Sequence, residues 1–338
     1  MFSLFSKKTP VPALINGHEI LVNPKESLLL AALRQGIDFP HSCRVGGCAV
    51  CKCRLIEGKV KELTDSGYVL SEEELDQGYI LACQSIPKEQ IVIEYDEIKT
   101  TRVEGRVISQ SRLTHDITRL VVETTDPVIY KAGQYADLCL DVKPDISRSY
   151  SFATANVDAH LQTFFIRQVE GGQFSTLVNN EPLVGHNVQI NGPMGEFWLR
   201  DGEGSLLFVA GGSGLAPIMA ILEQAVSTGV TRPATLLFGA REEKDLYILD
   251  DISAIASLWP SEFTFIPILS DLQPDSGWQG HRGMVTDLIS SLSTEDTDAY
   301  LCGPPVMVDR AEDCLIAKGC DKDRIYADRF TMPDAVSR

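Results

Sequence analysis

No apolar run in this chain is long enough to cross a bilayer, and its opening residues, Met1 to Pro10, lack the apolar centre of a secretory leader. A cytoplasmic protein is expected. Positive charge is scarce, with 30 Lys and Arg against 47 Asp and Glu for a net charge of −17. Such a surface repels phosphate backbones and anionic headgroups, which argues against nucleic acid and membranes as partners. Internal repeats and low-complexity tracts are also missing, which argues against a solenoid or a biased linker. What remains is an ordinary globular composition, and 338 residues exceed what one hydrophobic core supports, so two or three domains are expected. Oligomeric state is not legible, though a monomer would suffice.

The acidity is uneven. Residues 206–338 carry 10 basic and 20 acidic side chains, whereas Arg44, Lys52, Arg54, Lys59 and Lys61 form a local basic patch interrupted by Glu57 alone. That patch reads either as a solvated face or as a docking surface. It overlaps a stretch that holds four of the nine cysteines, Cys43, Cys48, Cys51 and Cys53. Cys43, Cys48 and Cys51, with Cys83 further on, have the C-x₄-C-x₂-C…C spacing of a plant-type [2Fe–2S] centre, which moves single electrons. Gly46 and Gly47 leave room for backbone N–H groups to approach cluster sulfurs. Buried free thiols or a zinc site use the same residue types, but zinc ribbons pair two C-x₂-C knuckles and Cys83 stands alone in Leu81-Ala82-Cys83-Gln84-Ser85. Strand alternation puts Cys53 on the side of Cys51; with four ligands already counted, Cys53 reads as a packed strand residue. Cys139, Cys302, Cys314 and Cys320 are scattered and read as reduced thiols.

Three segments follow from the local patterns. In residues 1–98, Asn16-Gly17 between two extended runs predicts a hairpin. A helix is expected over Ser27 to Gln35, stopped by Gly36, and Ser71-Glu72-Glu73-Glu74 predicts a capping box. Residues 99–202 show six short strands punctuated by Asp126-Pro127, Lys143-Pro144 and Gly171-Gly172, the pattern of an antiparallel barrel. Residues 203–338 alternate strand and helix, which implies a parallel sheet with crossover helices. The expected fold is multidomain, α+β and α/β: a β-grasp, then a Greek-key antiparallel barrel, then a doubly wound parallel sheet.

Two sets of residues in the later segments point to nucleotide cofactors. Arg148-Ser149-Tyr150-Ser151 places a guanidinium and a phenol on one face of a strand, and Gly171-Gly172-Gln173-Phe174-Ser175 opens a helix whose N–H groups suit an anion. Arg167 is a further phosphate or adenosine candidate. In the third segment, Gly211-Gly212-Ser213-Gly214-Leu215-Ala216-Pro217 joins the first strand to the first helix, and Cys302-Gly303-Pro304-Pro305 ends a later strand, where ligands of open α/β sheets bind. Taken singly, R-x-Y-S is equally a surface strand and Cys302 equally a buried thiol. Together they resemble the R-x-Y-[ST], G-G-x-G-x-x-P and C-G-P-P motifs of the ferredoxin reductase superfamily.

That resemblance implies FAD on the barrel, with Arg148 on its pyrophosphate, Tyr150 against its ring and Ser151 near N5. It implies a nicotinamide cofactor in the third segment, with Cys302 beside the reacting carbon and Asp328 and Phe330, in Ile325-Tyr326-Ala327-Asp328-Arg329-Phe330, near the flavin and nicotinamide. After the second and third strands stand Arg241-Glu242-Glu243-Lys244 and Ser270-Asp271. Asp271 would repel a 2′-phosphate, which favours NADH, although Arg241 and Lys244 keep a phosphate-binding reading open. Across its whole length the chain resembles the reductase component of a bacterial multicomponent oxygenase, of the benzoate dioxygenase reductase and phenol hydroxylase reductase kind, which serves aromatic hydrocarbon catabolism. The resemblance implies that electrons pass from NADH through FAD to the [2Fe–2S] cluster and then singly to a terminal oxygenase or an intermediate ferredoxin. The same wiring would serve another acceptor, such as a deoxysugar-forming dehydratase, or a redox-sensing module.

Overall fold

A computed structural model describes residues 9–37, 39–41, 44–47, 49–95, 101–272 and 277–331. They fall into two compact units that divide near residue 100. Among the described residues no helix is long and apolar enough to cross a membrane.

In the first unit, β1 (Val11–Ile15) and β2 (His18–Val22) form the expected hairpin. Asn16 and Gly17 take φ of 44° and 84°, the left-handed pair a two-residue hairpin turn demands. Helix α1 (Leu28–Arg34) is capped by the Ser27 hydroxyl and packs Leu28, Leu29, Ala31 and Ala32 onto the sheet. Strand β3 (Lys52–Glu57) follows the cysteine loop, and β4 (Val60–Glu62) leads to α2 (Glu72–Asp76), whose Ser71–Glu74 capping box is complete in both directions. Then come β5 (Tyr79–Leu81), β6 (Ser85–Pro87) and β7 (Ile91–Glu94). The main sheet runs β2-β1-β7-β3-β5, with β1 and β7 parallel, while β4 and β6 pair apart as a two-stranded sheet.

The second unit holds two sheets. The barrel comprises β8 (Thr101–Arg112), β9 (Ile117–Thr124), β10 (Tyr135–Leu140), β11 (Ser147–Ser151), β12 (Leu161–Arg167) and β13 (Asn187–Met194), with α3 (Gln173–Asn180) after β12. Its order is β11-β10-β13-β8-β9-β12, all antiparallel, and a bridge from Phe152 to Phe164 brings its two edges together. Phe152, Phe164, Phe174, Leu120 and Ile166 fill the interior; each such side chain contributes about 1.5–3 kcal/mol by burial.

The parallel sheet is built from β14 (Ser205–Gly211), α4 (Leu215–Ser227), β15 (Ala234–Ala240), α5 (Leu249–Leu258), β16 (Phe263–Leu269), β17 (His281–Arg282), β18 (Thr297–Gly303), α6 (Pro305–Ala317) and β19 (Ile325–Arg329). The strand order is β17-β16-β15-β14-β18-β19. The chain winds outward one way from β14 and then returns to the other side at β18, so the carboxyl ends of these two neighbours flank the topological switch point. Between β17 and β18, where the strand and helix alternation implies a crossover helix, residues Val285–Ser291 form a 3₁₀ helix. Barrel and parallel sheet share one core: Ile117, Phe165 and Phe197 pack in the same apolar cluster as Leu215, Ile218 and Phe238.

Candidate functional site

The switch point is built by glycines in close contact. A Cβ on Gly214 would stand 2.3 Å from the Cys302 carbonyl oxygen, and one on Gly211 would stand 2.5 Å from the Met307 sulfur. A Cβ on Gly303, at φ 150°, would stand 3.1 Å from the Gly211 backbone. The strand-to-helix turn therefore lies directly on the end of β18, and only glycine permits it. Residues Gly212–Gly214 make one 3₁₀ turn that runs into α4, with no side-chain cap at either start, and the Leu215 N–H is spent on the turn's own carbonyls; an anion would meet the backbone at the head of the turn. Pro217 sits in the first turn of α4, two residues inside its start, where a missing N–H costs nothing.

Cys302 is fully buried and opposite Asp328 in the β18–β19 register. Burial, with the Asp328 charge adding to it, pushes its thiol well above the usual cysteine range. A neutral thiol in that position packs and orients; it is no nucleophile. Phe330 donates its N–H to the Gly303 carbonyl at 2.9 Å, which fixes the chain leaving β19 against Cys-Gly-Pro-Pro. At the far end of the groove, Asp271 is exposed, and its N–H is bonded to the Arg241 carbonyl at 2.9 Å. Lys244 is paired with Glu242 at 2.9 Å, so one of the two cations that kept a phosphate-binding reading open already has a carboxylate partner.

On the barrel, Arg148 is exposed and Tyr150 half-buried on the edge strand β11, and Ser151 is buried where β11 meets β10. Burial raises the Tyr150 phenol, which stays a neutral donor at working pH. Arg148 gives one N–H to the Ser147 carbonyl at 2.7 Å and joins no ion pair among the described residues. Gly171, at φ 72°, has open space where a Cβ would point. Gly172 is the N-cap of α3 without a side-chain cap bond, and Gln173 is exposed. These features suit a pyrophosphate held by one guanidinium and backbone N–H groups. The next two side chains turn inward. Phe174 fills the barrel with its ring 5.4 Å from that of Tyr150, and the Ser175 hydroxyl accepts from the Val169 N–H at 3.0 Å and donates to the Gly172 carbonyl at 3.3 Å. Arg167, the further phosphate or adenosine candidate, has its Nε paired with Asp116 at 2.8 Å.

For the cysteine loop, Cys43 and Cys48 lie outside the described residues. Cys51 and Cys83 are buried, and the Cys83 N–H points to the Cys51 sulfur at 3.5 Å, the donor geometry cluster thiolates require. Arg44 and Ala49 take left-handed φ of 61° and 54° alongside Gly46 at 83°, a strained turn for two side-chain-bearing residues. Cys53 is fully buried in the apolar core of this unit, and burial drives its thiol far up. The basic patch is smaller than the sequence suggests, because Lys52 is neutralised by Glu74, which α2 brings from 22 residues away.

Comparison with known proteins agrees with this layout. Residues 14–88 match the 2Fe-2S iron-sulfur cluster binding domain, 104–198 the oxidoreductase FAD-binding domain and 208–313 the oxidoreductase NAD-binding domain. The xylene/toluene monooxygenase electron transfer component XylA of Pseudomonas putida is 39% identical over 93% of this chain and 91% of its own length. The chain belongs to the family of oxygenase reductase components. Phenol 2-monooxygenase reductase component DmpP of Pseudomonas sp. (strain CF600) is 33% identical over 93% of the chain and 92% of its own length. Among solved structures, the Amycolatopsis cytochrome P450 reductase GcoB superposes with a TM-score of 0.72 at 28% identity, covering 96% of this reductase and 100% of that chain. The ferredoxin reductase in carbazole 1,9a-dioxygenase gives 0.69 at 29%, covering 95% and 98%. The reductase is therefore a flavin and iron–sulfur oxidoreductase with a nicotinamide domain, and its cofactors are FAD, a [2Fe–2S] cluster and NADH.

Proposed function

We propose that the reductase takes electrons in pairs from NADH and delivers them singly to the oxygenase component of a bacterial multicomponent system, directly or through an intermediate ferredoxin. The observation that carries this reading is the coexistence in one chain of a one-electron cysteine centre and a glycine-built switch point. Bound FAD supplies the conversion between two-electron and one-electron steps. The chain's own residues bind and orient. Arg148, the Gly171–Gly172 turn and the first α3 residues Gln173, Phe174 and Ser175 would hold the FAD pyrophosphate, with Tyr150 against the ring and Ser151 near its edge. Gly212, Ser213 and Gly214 receive the dinucleotide on backbone N–H groups, and Pro217 keeps the first turn of α4 rigid behind them. Cys302, Gly303, Pro304 and Phe330 form the wall for the nicotinamide, with burial, and the Asp328 charge beside it, keeping the thiol neutral. Arg241 and Asp271 flank the adenosine ribose, where Asp271 favours an unphosphorylated hydroxyl. Cys43, Cys48, Cys51 and Cys83 ligate the cluster. The functional divisions are 1–98, 99–202 and 203–338.

Anaerobic titration tests the assignment: NADH is to bleach the visible absorbance of both flavin and cluster, and the reduced protein is then to reduce a purified oxygenase component of a multicomponent system. Bleaching with no transfer to that component would leave the acceptor wrong and favour another redox enzyme.

A further inference from the structure

Gly212 opens the nucleotide turn at φ 56°, and two side chains from different elements close on its backbone. Tyr247, just before α5, is buried with its ring edge-on to Phe165 and Phe238 at 5.8 and 5.7 Å, and its hydroxyl donates to the Gly212 carbonyl at 3.1 Å. From the barrel, Arg167 at the end of β12 brings Nη1 to 3.2 Å from the place a Gly212 Cβ would occupy. Its guanidinium is held there by Asp116, which also accepts from the Thr114 hydroxyl at 2.9 Å. The Arg167 and Asp116 charges both act on the Tyr247 phenol, so the groups converge on one spot.

We propose that Tyr247, backed by the Asp116–Arg167 pair, is a positioning device that fixes the Gly212–Ser213 peptide and so sets the affinity for the nicotinamide dinucleotide. In a trans peptide the carbonyl and the following N–H point in opposite directions. Tethering the Gly212 carbonyl to Tyr247 therefore orients the Ser213 N–H on the other side, at the head of α4. An untethered glycine turn samples several conformers and pays that entropy again on each binding event. Burial raises the Tyr247 phenol, which keeps its proton and stays a donor throughout the working pH range. The inference rests on the reading that this turn receives the dinucleotide.

Tyr247→Phe in the FAD-loaded full chain removes one hydroxyl and no packing. The dissociation constant for NAD⁺, by calorimetry, is expected to rise about three- to tenfold, the equivalent of one buried hydrogen bond, with KM for NADH rising in step. Unchanged affinity with a lower melting midpoint would reduce Tyr247 to a packing residue and overturn the proposal. Asp116→Asn is expected to weaken NAD⁺ binding as well, and the double variant to lose less than the sum of the two. Strict additivity would remove the ion pair from the device. Hydrogen exchange on the unaltered protein separates this failure from a failure of the site itself. NAD⁺ is to protect the amides of residues 212–215, and absence of that protection would overturn the placement of the dinucleotide, whatever Tyr247 does.

Discussion

The two ends of β14 and β18 are built on opposite principles. At their amino ends, Ser205 and Thr297 share a 2.8 Å hydroxyl bond, and Asp298 is buried between the guanidiniums of Arg232 and Arg324, with Arg324 Nε at 2.6 Å. At their carboxyl ends the Gly214 and Gly211 backbones instead close on the Cys302 carbonyl and the Met307 thioether. One end satisfies itself completely and holds the sheet. The other leaves N–H groups unspent for a ligand.

Asp298→Ala attacks the closed end and has the largest expected effect. It strands two cations, one of them buried, at a cost of about 3–5 kcal/mol. Urea denaturation should show that loss, while the NAD⁺ affinity of the folded fraction stays within about twofold. A large shift in affinity would mean that the two ends are coupled rather than separable.

Gly214→Ala attacks the open end. Its Cβ meets the Cys302 carbonyl, so the turn must lift from β18, and kcat/KM for NADH should fall about a hundredfold with normal flavin content. Steady-state kinetics beside a flavin assay reads both. Retained activity would show that the contact is not needed for binding.

Asp271→Arg sharpens the comparison within the open end, by asking whether its periphery selects the nucleotide. The ratio of kcat/KM for NADPH to that for NADH should rise about tenfold, through a charge-assisted partner for the 2′-phosphate. An unchanged ratio would place the selection elsewhere.

The smallest effect is expected from Glu223, midway along α4, which accepts the Ala155 N–H at 2.8 Å. Burial raises its carboxyl above the ordinary 4.5. Its folded form thus holds a proton that the unfolded chain has released, so its contribution to stability is full below the unfolded value and is lost as pH rises through the folded one. Glu223→Gln keeps an acceptor and should melt about a degree or two higher than the unaltered protein at pH 8. The gap should close toward pH 4, and a gap independent of pH would assign it to packing instead.

What the sequence disclosed was local. Asn16-Gly17, the Ser71–Glu74 box and the glycine turn before α4 each fix a backbone geometry by their own chemistry, and each appears where the pattern puts it. Strand and helix alternation likewise revealed the parallel sheet. What it hid depends on partners distant in the chain. Lys52 looks like part of a free basic patch until Glu74 arrives, and nothing near Arg167 in the sequence announces its pairing with Asp116, 51 residues earlier. Tyr247 carried no signal at all, because a tyrosine before a helix has no distinguishing pattern. The β4–β6 pair and β17 were too short for any period to show, and the 3₁₀ turn at Val285–Ser291 differs from an α-helix only in which carbonyl is chosen.

The bridge between Phe152 and Phe164 gives β11 a stiff end and a soft end. Beyond Ser151, the Phe152 N–H is bonded to the Gln134 carbonyl and that of Ala153 to the Thr163 carbonyl, so this end is held from both sides of the barrel. Ser147, Arg148 and Ser149 are exposed and have β10 as their one strand neighbour. Fraying must therefore begin at the Ser147–Arg148 end and stop before Ser151. On the placement proposed above, a flavin leaving this barrel would let go by its phosphate tail while its ring edge is still gripped, and amide exchange along the strand should run in that same order.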